Sequence, residues 1–233
     1  NQSGLILVCG PTGSGKTTTI YSLLNTLLGR GLNIMTIEDP VEVELSEVIQ
    51  TQVNEAVGFS FATGLRSLLR NDPDVILVGE IRDAETAEIA VRAAMTGHLV
   101  ISTVHANTPV GAIKRLTNLS VDPTLLSDCL LGVYSQRLVR VYCSDCRKTS
   151  ISSADHHSTL PVAFSGCKTC HHTGFKGRSP VMSHVEITSE NASLIETNPA
   201  KIKVIDTMYT EALDLHSKGL TPQFEITRLK QNI

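Results

Sequence analysis

The chain has 233 residues, of which 41% are hydrophobic and 18% are charged, so it can bury a substantial core in one or two domains. The formal net charge of -3 provides no overall basic field that would recruit nucleic acid or anionic lipid. No apolar run approaches the roughly 18 residues that would cross a bilayer, and the N-terminus lacks the order of a signal peptide. We therefore expect a cytosolic globular protein.

The first half of the chain alternates apolar strand patterns with helical patterns, which indicates an α/β layer with a mainly parallel sheet. A strand is predicted at 5–9, so close to Asn1 that we expect a piece of a longer protein. A helix from about 16–28 and a strand at 33–37 follow. The alternating segments 41–45 and 48–53 are predicted to pair as a hairpin.

The next elements are bounded by clear turn and cap signals. Apolar residues at helical spacing predict a helix that starts near Phe61 and ends before the turn at 71–74. The run 75–78 is predicted to be a central strand. Asp83 can cap a helix that runs to Met95 and ends before Gly97. A strand is predicted at 99–103. Residues 107–109 are predicted to cap another helix, with Pro109 in its first turn.

Beyond about Tyr142 the sequence changes to short polar stretches and paired cysteines, which indicates a boundary or a large insertion. Helical patterning returns at 200–217 and from Pro222. We divide the chain into an α/β core at 1–141, a cysteine-containing subdomain at 142–180 and a helical C-terminal region at 181–233.

The segment "GPTGSGKT" at 10–17 satisfies the P-loop pattern and lies between a predicted strand and a predicted helix, as that motif requires. Its glycines permit a tight loop whose amides cradle phosphates, and the following helix N-terminus favours negative charge. Lys16 can reach the β and γ phosphates, and Thr17 can bind Mg²⁺. The residues expected to bind ATP here are Gly10, Pro11, Thr12, Gly13, Ser14, Gly15, Lys16, Thr17 and Thr18.

Four cysteines have the spacing C-x2-C-x20-C-x2-C, at the edge of the usual zinc pattern; they are Cys143, Cys146, Cys167 and Cys170. Four thiolates on two knuckles give the closed tetrahedral cage of a structural Zn²⁺ site. Disulfides are the alternative, and His171 and His172 lie near enough to compete as ligands. Cys9 and Cys129 have apolar surroundings and are predicted to be small core residues.

Several segments together resemble the motor domain of the secretion ATPases, the family that powers type II secretion and type IV pilus assembly. They are the P-loop, "TIEDPVE" at 36–42, the long stretch 65–108 and the cysteine pairs. The resemblance implies a RecA-like ATPase core at 1–141, a hexameric ring, ATP hydrolysis, and inner-membrane platform proteins as partners. Assembly and secretion members of the family commonly carry the four cysteines and retraction members lack them, so the cluster favours an assembly or secretion motor.

The resemblance also implies catalytic roles for three carboxylates. The strand at 75–78 ends in glycine-glutamate, so Glu80 would take the magnesium-side role, and Glu38 would orient or deprotonate the attacking water with support from Asp39. Which glutamate has which role stays open. Both follow predicted strands, where open α/β sheets bind ligands, although both could simply be exposed residues after strands.

Histidines and arginines complete the expected site. His98 and His105 flank the strand at 99–103, which in the family lies near the γ phosphate, where an imidazole could sense phosphate. The remaining six are expected at the surface: His156, His157, His171, His172, His184 and His216. Arg66, Arg70 and Arg82 are candidates for contacts between subunits, although the family's principal arginines lie upstream of the P-loop.

Two departures from the family concern the cysteine region. The first knuckle lacks a proline after its first cysteine, and the segment 177–187 replaces the apolar, aromatic strand usual there, which puts the packing of that segment in doubt. Two other functions stay open: a zinc-containing nucleic-acid motor and a nucleotide-sensing interaction protein. The net charge and the 4% aromatic content favour neither base stacking nor phosphate tracking, so we expect no nucleic-acid partner.

Overall fold

The computed structural model describes residues 3–146 and 166–231. These cluster into two compact units. The first comprises Asn1–Ser135 and Ser183–Ile205, and the second comprises Gln136–Met182 and Asp206–Ile233. These bounds differ from the three predicted segments because both units are built from two stretches of chain, and the three-segment division stays a prediction.

A seven-stranded sheet has the order β3-β2-β4-β5-β1-β6-β7. The strands are β1 Gly4–Cys9, β2 Ile34–Glu38, β3 Val48–Gln52, β4 Val75–Val78, β5 Leu99–Val104, β6 Leu130–Tyr142 and β7 Phe175–Glu186. The pairings of β1 with β5 and β6, of β2 with β3 and β4, and of β4 with β5 are all parallel. The predicted fold class, an α/β layer with a mainly parallel sheet, is confirmed.

The predicted hairpin is wrong, because β3 pairs parallel with β2 and the segment 41–45 forms no strand. Its amides bond to side chains instead of a strand ladder: Val41 N–H donates to Gln52 Oε1 at 3.2 Å, and Leu45 N–H donates to Gln50 Oε1 at 2.7 Å. The alternation of apolar and charged residues at 41–45 therefore belongs to a loop held by side-chain hydrogen bonds, not to a strand.

Eight α-helices lie within the described residues: α1 Lys16–Leu27, α2 Phe61–Leu68, α3 Ala84–Met95, α4 Pro109–Asn118, α5 Pro123–Cys129, α6 Ser189–Thr197, α7 Met208–Ser217 and α8 Gln223–Gln231. The cap predictions are confirmed, since Asp83 accepts from Thr86 N–H and Thr108 accepts from Gly111 N–H. None of these helices is long and apolar enough to cross a bilayer. The predicted helix at 200–217 is too long, because Ile205 bridges to His184 as extended backbone.

The first unit has apolar side chains on both faces of its sheet. On one face Leu24 and Tyr21 of α1 pack with Val8, Leu77 and Ile101. The other face carries the larger cluster, which includes residues of α2, α3, α4 and α5. Cys9 and Cys129 are buried, as predicted for core residues.

The second unit has a small apolar core and a buried charge. The core residues are Val139, Val181, Met208, Ala212, Ile226 and Leu229. Glu225, only 3% exposed, accepts from the backbone N–H of Arg140 at 3.1 Å and from its Nε at 2.8 Å. The Arg140 guanidinium lies 4.7 Å from the ring centre of Phe175 and 5.2 Å from that of Phe224. Burial raises the pKa of Glu225, but Arg140 and Arg228 outweigh it and hold the pKa below its ordinary value.

A substitution at Glu225 should destabilise the second unit in a pH-dependent way. In the folded chain the pKa of Glu225 lies below its ordinary value of 4.5, so the ionised carboxylate stabilises the fold at pH values above 4.5. This stabilisation is lost as the pH falls through the pKa of the folded state. Glu225→Gln should therefore lower the free energy of unfolding by about 2 kcal/mol at pH 7, and the deficit should shrink below about pH 4.5. Denaturant unfolding at several pH values measures both effects.

Asp214→Asn is the control, because its pair with Lys218 at 2.5 Å is exposed and worth about 0 to 1 kcal/mol. A Glu225→Gln deficit that stays constant from pH 7 to pH 3 would contradict the ionic explanation.

Candidate functional site

The loop 10–15 connects β1 to α1 and follows the path that the P-loop motif predicts. Gly13 and Gly15 have φ of 75° and 85°, a left-handed conformation that favours glycine. Lys16 is the first residue of α1, and its Nζ donates to the carbonyl oxygens of Gly10 at 2.9 Å and Pro11 at 3.1 Å. Desolvation lowers the pKa of Lys16, while the charges of Cys9 and Glu80 oppose that shift.

Exposure differs along this loop. Thr12, Gly13, Thr17 and Thr18 are exposed, Pro11 and Gly15 are half-buried, and Gly10 and Ser14 are buried. Thr17 and Thr18 are therefore exposed in the first turn of α1, directly after Lys16 in sequence. A phosphate group placed at this helix N-terminus would meet the backbone amides and the Lys16 ammonium together.

Gly79, directly after β4, lies against the end of β2. Its N–H donates to the carbonyl oxygen of Ile37 at 2.8 Å. A Cβ at this position would come within 3.2 Å of that oxygen and 3.3 Å of the Cα of Glu38, closer than ordinary van der Waals contact. The strand end therefore has no room for the aspartate expected at the tip of this strand in many P-loop proteins, and the next residue, Glu80, supplies the carboxylate.

The carboxylate of Glu80 lies between a guanidinium and an imidazole. One oxygen is bonded to the Arg82 guanidinium, and the other lies 3.3 Å from His105 Nε2. The side chain is 15% exposed, whereas that of His105 is 60% exposed. The Thr103 hydroxyl donates to Gly79 O at 2.7 Å and fixes the turn that carries Glu80. The charge of this carboxylate acts to raise the pKa of Lys16.

Glu38, the last residue of β2, is 3% exposed and bonded to three neutral donors. Tyr21 donates its hydroxyl to Oε2, and Oε1 accepts from the Thr36 hydroxyl at 2.5 Å and from Gln50 Nε2 at 3.1 Å. Asp39, the next residue, is exposed and lies 3.3 Å from Arg82. Two adjacent carboxylates therefore have different environments, one buried among neutral donors and one beside a guanidinium.

The two flanking histidines lie at opposite ends of β5. His105 follows the strand, whereas His98 precedes it, and its ring Nδ1 is 2.9 Å from Ala93 O at the end of α3. Seven residues at about 3.3 Å per residue separate the two histidines by roughly 20 Å. The structure therefore does not bring His98 to the other predicted site residues, and we leave it out of the proposed site.

The candidate arginines differ in their contacts. Arg82 joins Glu80 and Asp39, Arg66 pairs with Glu85 at 2.6 Å, and Arg70 is exposed. Two residues that hold Glu38, Tyr21 and Gln50, are absent from the sequence prediction. Tyr21 has the spacing of an apolar helical position, and that pattern carries no signal for its hydroxyl group.

Cys143, Cys146, Cys167 and Cys170 form one cluster whose sulfur atoms all lie within 4.8 Å of one another. The separations are 3.9 Å for Cys143–Cys167, 3.7 Å for Cys146–Cys170 and 3.8 Å for Cys167–Cys170. A tetrahedral site with Zn–S bonds of about 2.3 Å requires sulfur separations of about 3.8 Å. The cluster fits Zn²⁺, and these separations exclude disulfide bonds between those pairs.

The surroundings of the cluster also suit a metal thiolate. Cys170 Sγ accepts from the N–H groups of Cys167 at 3.1 Å and Gly174 at 3.3 Å, and the former bond is the main reason that the pKa of Cys170 is lowered to about 6. His171 and His172 are exposed and are not part of the cluster. The segment whose packing was in doubt forms β7, with Val181 and Val185 buried.

The other histidines expected at the surface have varied settings. His184 stacks on Tyr134 with ring centres 5.6 Å apart, and His216 Nδ1 lies 2.9 Å from Thr221 O, so both are half-buried. His156 and His157 lie outside the described residues.

The fold and the loop motif place the chain in the RecA-like α/β class. Within it, residues 1–228 match the profile of the family described as type II/IV secretion system protein, and the chain belongs to this family. It is 47% identical over 223 residues to the type II secretion system protein E of Klebsiella pneumoniae, covering 93% of this chain and 45% of that protein. It is 42% identical over an alignment of 242 residues to the type II secretion system ATPase E of Vibrio cholerae, covering 99% and 46%.

A solved structure of the pilus retraction motor PilT with bound ADP is 32% identical, with a TM-score of 0.71, covering 98% of this chain and 61% of that one. The Legionella pneumophila ATPase DotB shares the fold at a TM-score of 0.72 and 22% identity, covering 100% of this chain and 61% of that one. The chain spans about half the length of the curated relatives it matches.

The close approach at Gly79 predicts that a side chain there destabilises the first unit. Gly79→Ala should lower the free energy of unfolding by about 1 to 3 kcal/mol, the usual cost of overpacking, and Gly79→Asp should cost more because its side chain is larger. Denaturant unfolding of the three proteins measures the series. Equal stability of all three would show that the ends of β2 and β4 have room to separate.

Proposed function

We propose that the chain hydrolyses ATP and that, in a hexameric ring, it powers type II secretion or type IV pilus assembly from the cytoplasmic side of the inner membrane. The observation that carries the proposal is the convergence of Lys16, Glu80 and His105 at the carboxyl edge of a parallel sheet, where open α/β sheets bind ligands. Membership of the secretion family and the ATPase named among its relatives support the reaction and the setting.

Each group at this edge has a chemical role in the proposal. The loop amides and Lys16 bind the β and γ phosphates, and the Thr17 hydroxyl and the Glu80 carboxylate would hold Mg²⁺, which neutralises charge on the phosphates when bound. The carboxylate of Glu80 fits this role because it is partly exposed and its charge acts on Lys16 of the P-loop. Arg82 and His105 keep it oriented, and His105 is exposed enough to contact the γ phosphate.

Glu38 is proposed as the group that orients or deprotonates the attacking water, with Asp39 supporting the strand end. Its carboxylate is buried in the described arrangement, so the role requires that it turn toward the nucleotide. The positive charge that stabilises the transferred phosphoryl group in such motors often comes from a neighbouring subunit, and exposed Arg66 and Arg70 are candidates for that contact.

The four-cysteine cluster is proposed to hold one structural Zn²⁺. Its four thiols leave no open coordination position, so the metal would stabilise the second unit and take no part in hydrolysis. The cluster also favours an assembly or secretion motor, since retraction members of the family lack it. Platform proteins at the inner membrane are the proposed partners, and no described feature favours nucleic acid.

The two glutamates should be needed for turnover and not for binding. Glu38→Gln and Glu80→Gln should each lower ATP turnover by about a hundredfold or more, the scale of a lost acid-base group, while ATP affinity changes by only a few fold. Lys16→Ala should instead weaken ATP binding, because the ammonium contacts the phosphates directly. Phosphate release and equilibrium nucleotide binding measure the two effects.

Glu88→Gln is the matched control, because Glu88 is an exposed glutamate of α3 paired with Arg92 at 2.7 Å and should leave turnover unchanged. Normal turnover in Glu80→Gln would overturn its assignment, and normal turnover in Glu38→Gln would overturn that of Glu38 independently.

Metal analysis of the purified chain should find about one Zn²⁺ per chain. Cys143→Ser and Cys170→Ser should release it and destabilise the region 142–180, since the binding energy of such sites is folding energy. Nucleotide binding should survive, because the P-loop belongs to another core. Cys129→Ala is the control that should retain Zn²⁺, and a metal-free wild-type chain whose four thiols all react rapidly would refute the site.

A further inference from the structure

Tyr21 connects three parts of the first unit through one hydroxyl group. Its side chain leaves α1, the helix that begins at the P-loop lysine, and packs on the apolar face that α1 covers. The hydroxyl donates to Glu38 Oε2 and accepts from the backbone N–H of Glu42 at 3.3 Å. Tyr21 therefore joins the P-loop helix, the end of β2 and the loop 41–45.

Gln50 makes a parallel connection from β3. Its Nε2 donates to Glu38 Oε1 at 3.1 Å and to Val43 O at 3.1 Å, and its Oε1 accepts from Leu45 N–H at 2.7 Å. The NH₂ group and the oxygen of the Gln50 amide are thereby both hydrogen-bonded to Glu38 or to the loop 41–45. Because Tyr21 and Gln50 both bond to the loop 41–45, a displacement of that loop would loosen both donors at once.

The Glu38 carboxylate is buried and bonded to three neighbouring side chains. It is 3% exposed and accepts three hydrogen bonds from neutral side chains, so its oxygens are turned away from solvent water. Desolvation, with the hydrogen bond to Glu38 as the next contribution, raises the pKa of Tyr21 to about 12, so the phenol keeps its proton at neutral pH. Because the three donors to Glu38 are neutral, no ion pair has to be broken when the Glu38 carboxylate moves.

We propose that Tyr21 is a positioning residue that holds Glu38 in this retracted position, and that the Tyr21–Glu38 hydrogen bond breaks once MgATP is bound and before it is hydrolysed. The inference rests on the proposed role of Glu38 toward the attacking water. Tyr21 lies five residues after Lys16 on the same helix, so phosphate binding at the P-loop acts directly on the element that carries this hydroxyl. Gln50 is the second donor of the same arrangement.

Tyr21→Phe removes the hydroxyl and keeps the packed ring. A hydrogen bond to a charged group is strong enough that its loss should raise kcat roughly three- to tenfold by making release of Glu38 easier, while KM for ATP stays within about twofold. Gln50→Leu should raise kcat in the same direction. Tyr134→Phe, which removes a phenol far along the chain on β6, is the matched control and should change neither constant.

A double-mutant cycle separates this inference from the proposed function. Glu38→Gln alone should be nearly inactive, and adding Tyr21→Phe to it should have no effect, because Tyr21 acts through that carboxylate. Normal turnover in Glu38→Gln overturns the role of Glu38 and the inference with it. An inactive Glu38→Gln together with a folded Tyr21→Phe of unchanged or lower kcat overturns only the inference.

A spectroscopic measurement on the wild-type chain decides the question even where Tyr21→Phe does not fold. The chain has four tyrosines and no tryptophan, so tyrosine emission is observable, and a phenol bonded to a carboxylate emits weakly because the excited phenol transfers its proton. Mg²⁺ with a non-hydrolysable ATP analogue should increase the emission of the wild type and leave that of Glu38→Gln unchanged. Unchanged wild-type emission at saturating analogue would show that the bond does not break.

Discussion

The contact between the ends of β2 and β4 determines where the carboxylates of the site lie. Gly79 donates to Ile37 O, and the missing side chain lets the two strand ends approach closely. Because the strands are parallel, their carboxyl ends meet at one edge of the sheet, and Glu38, the last residue of β2, and Glu80, two residues after β4, are brought to that edge. A larger residue at 79 would push the two ends apart and change the spacing between the two carboxylates.

The same edge gives these two carboxylates opposite electrostatic settings. Glu80 is bonded to the Arg82 guanidinium and lies beside the His105 imidazole, which suits the magnesium-side role proposed for it. Glu38 is surrounded by a phenol, a hydroxyl and an amide, and none of these groups carries a charge that would resist its movement. A fixed carboxylate and a movable one suit the two different tasks that phosphoryl transfer sets, metal binding and activation of water.

The sequence predicts the fold of the first unit well because its strands are buried and parallel. Runs such as 75–78 are apolar throughout, and Asp83 and Thr108 are caps whose chemistry is local. The wrong hairpin at 41–53 and the unpredicted β6 and β7 depend on distant partners that no local pattern reveals.

The described residues of the second unit contain a small apolar core, a buried ionic contact and a thiol cluster. Six buried apolar residues form that core, far fewer than in the first unit. Small units of this kind commonly require a metal or another cross-link to compensate for the entropy of ordering the chain. Here the thiol cluster joins two distant stretches of chain, and Glu225 ties α8 to β6 through Arg140. The spacing of the cysteines predicts the thiol cluster, whereas Arg140 and Glu225 are 85 positions apart in the sequence and no local pattern predicts their contact.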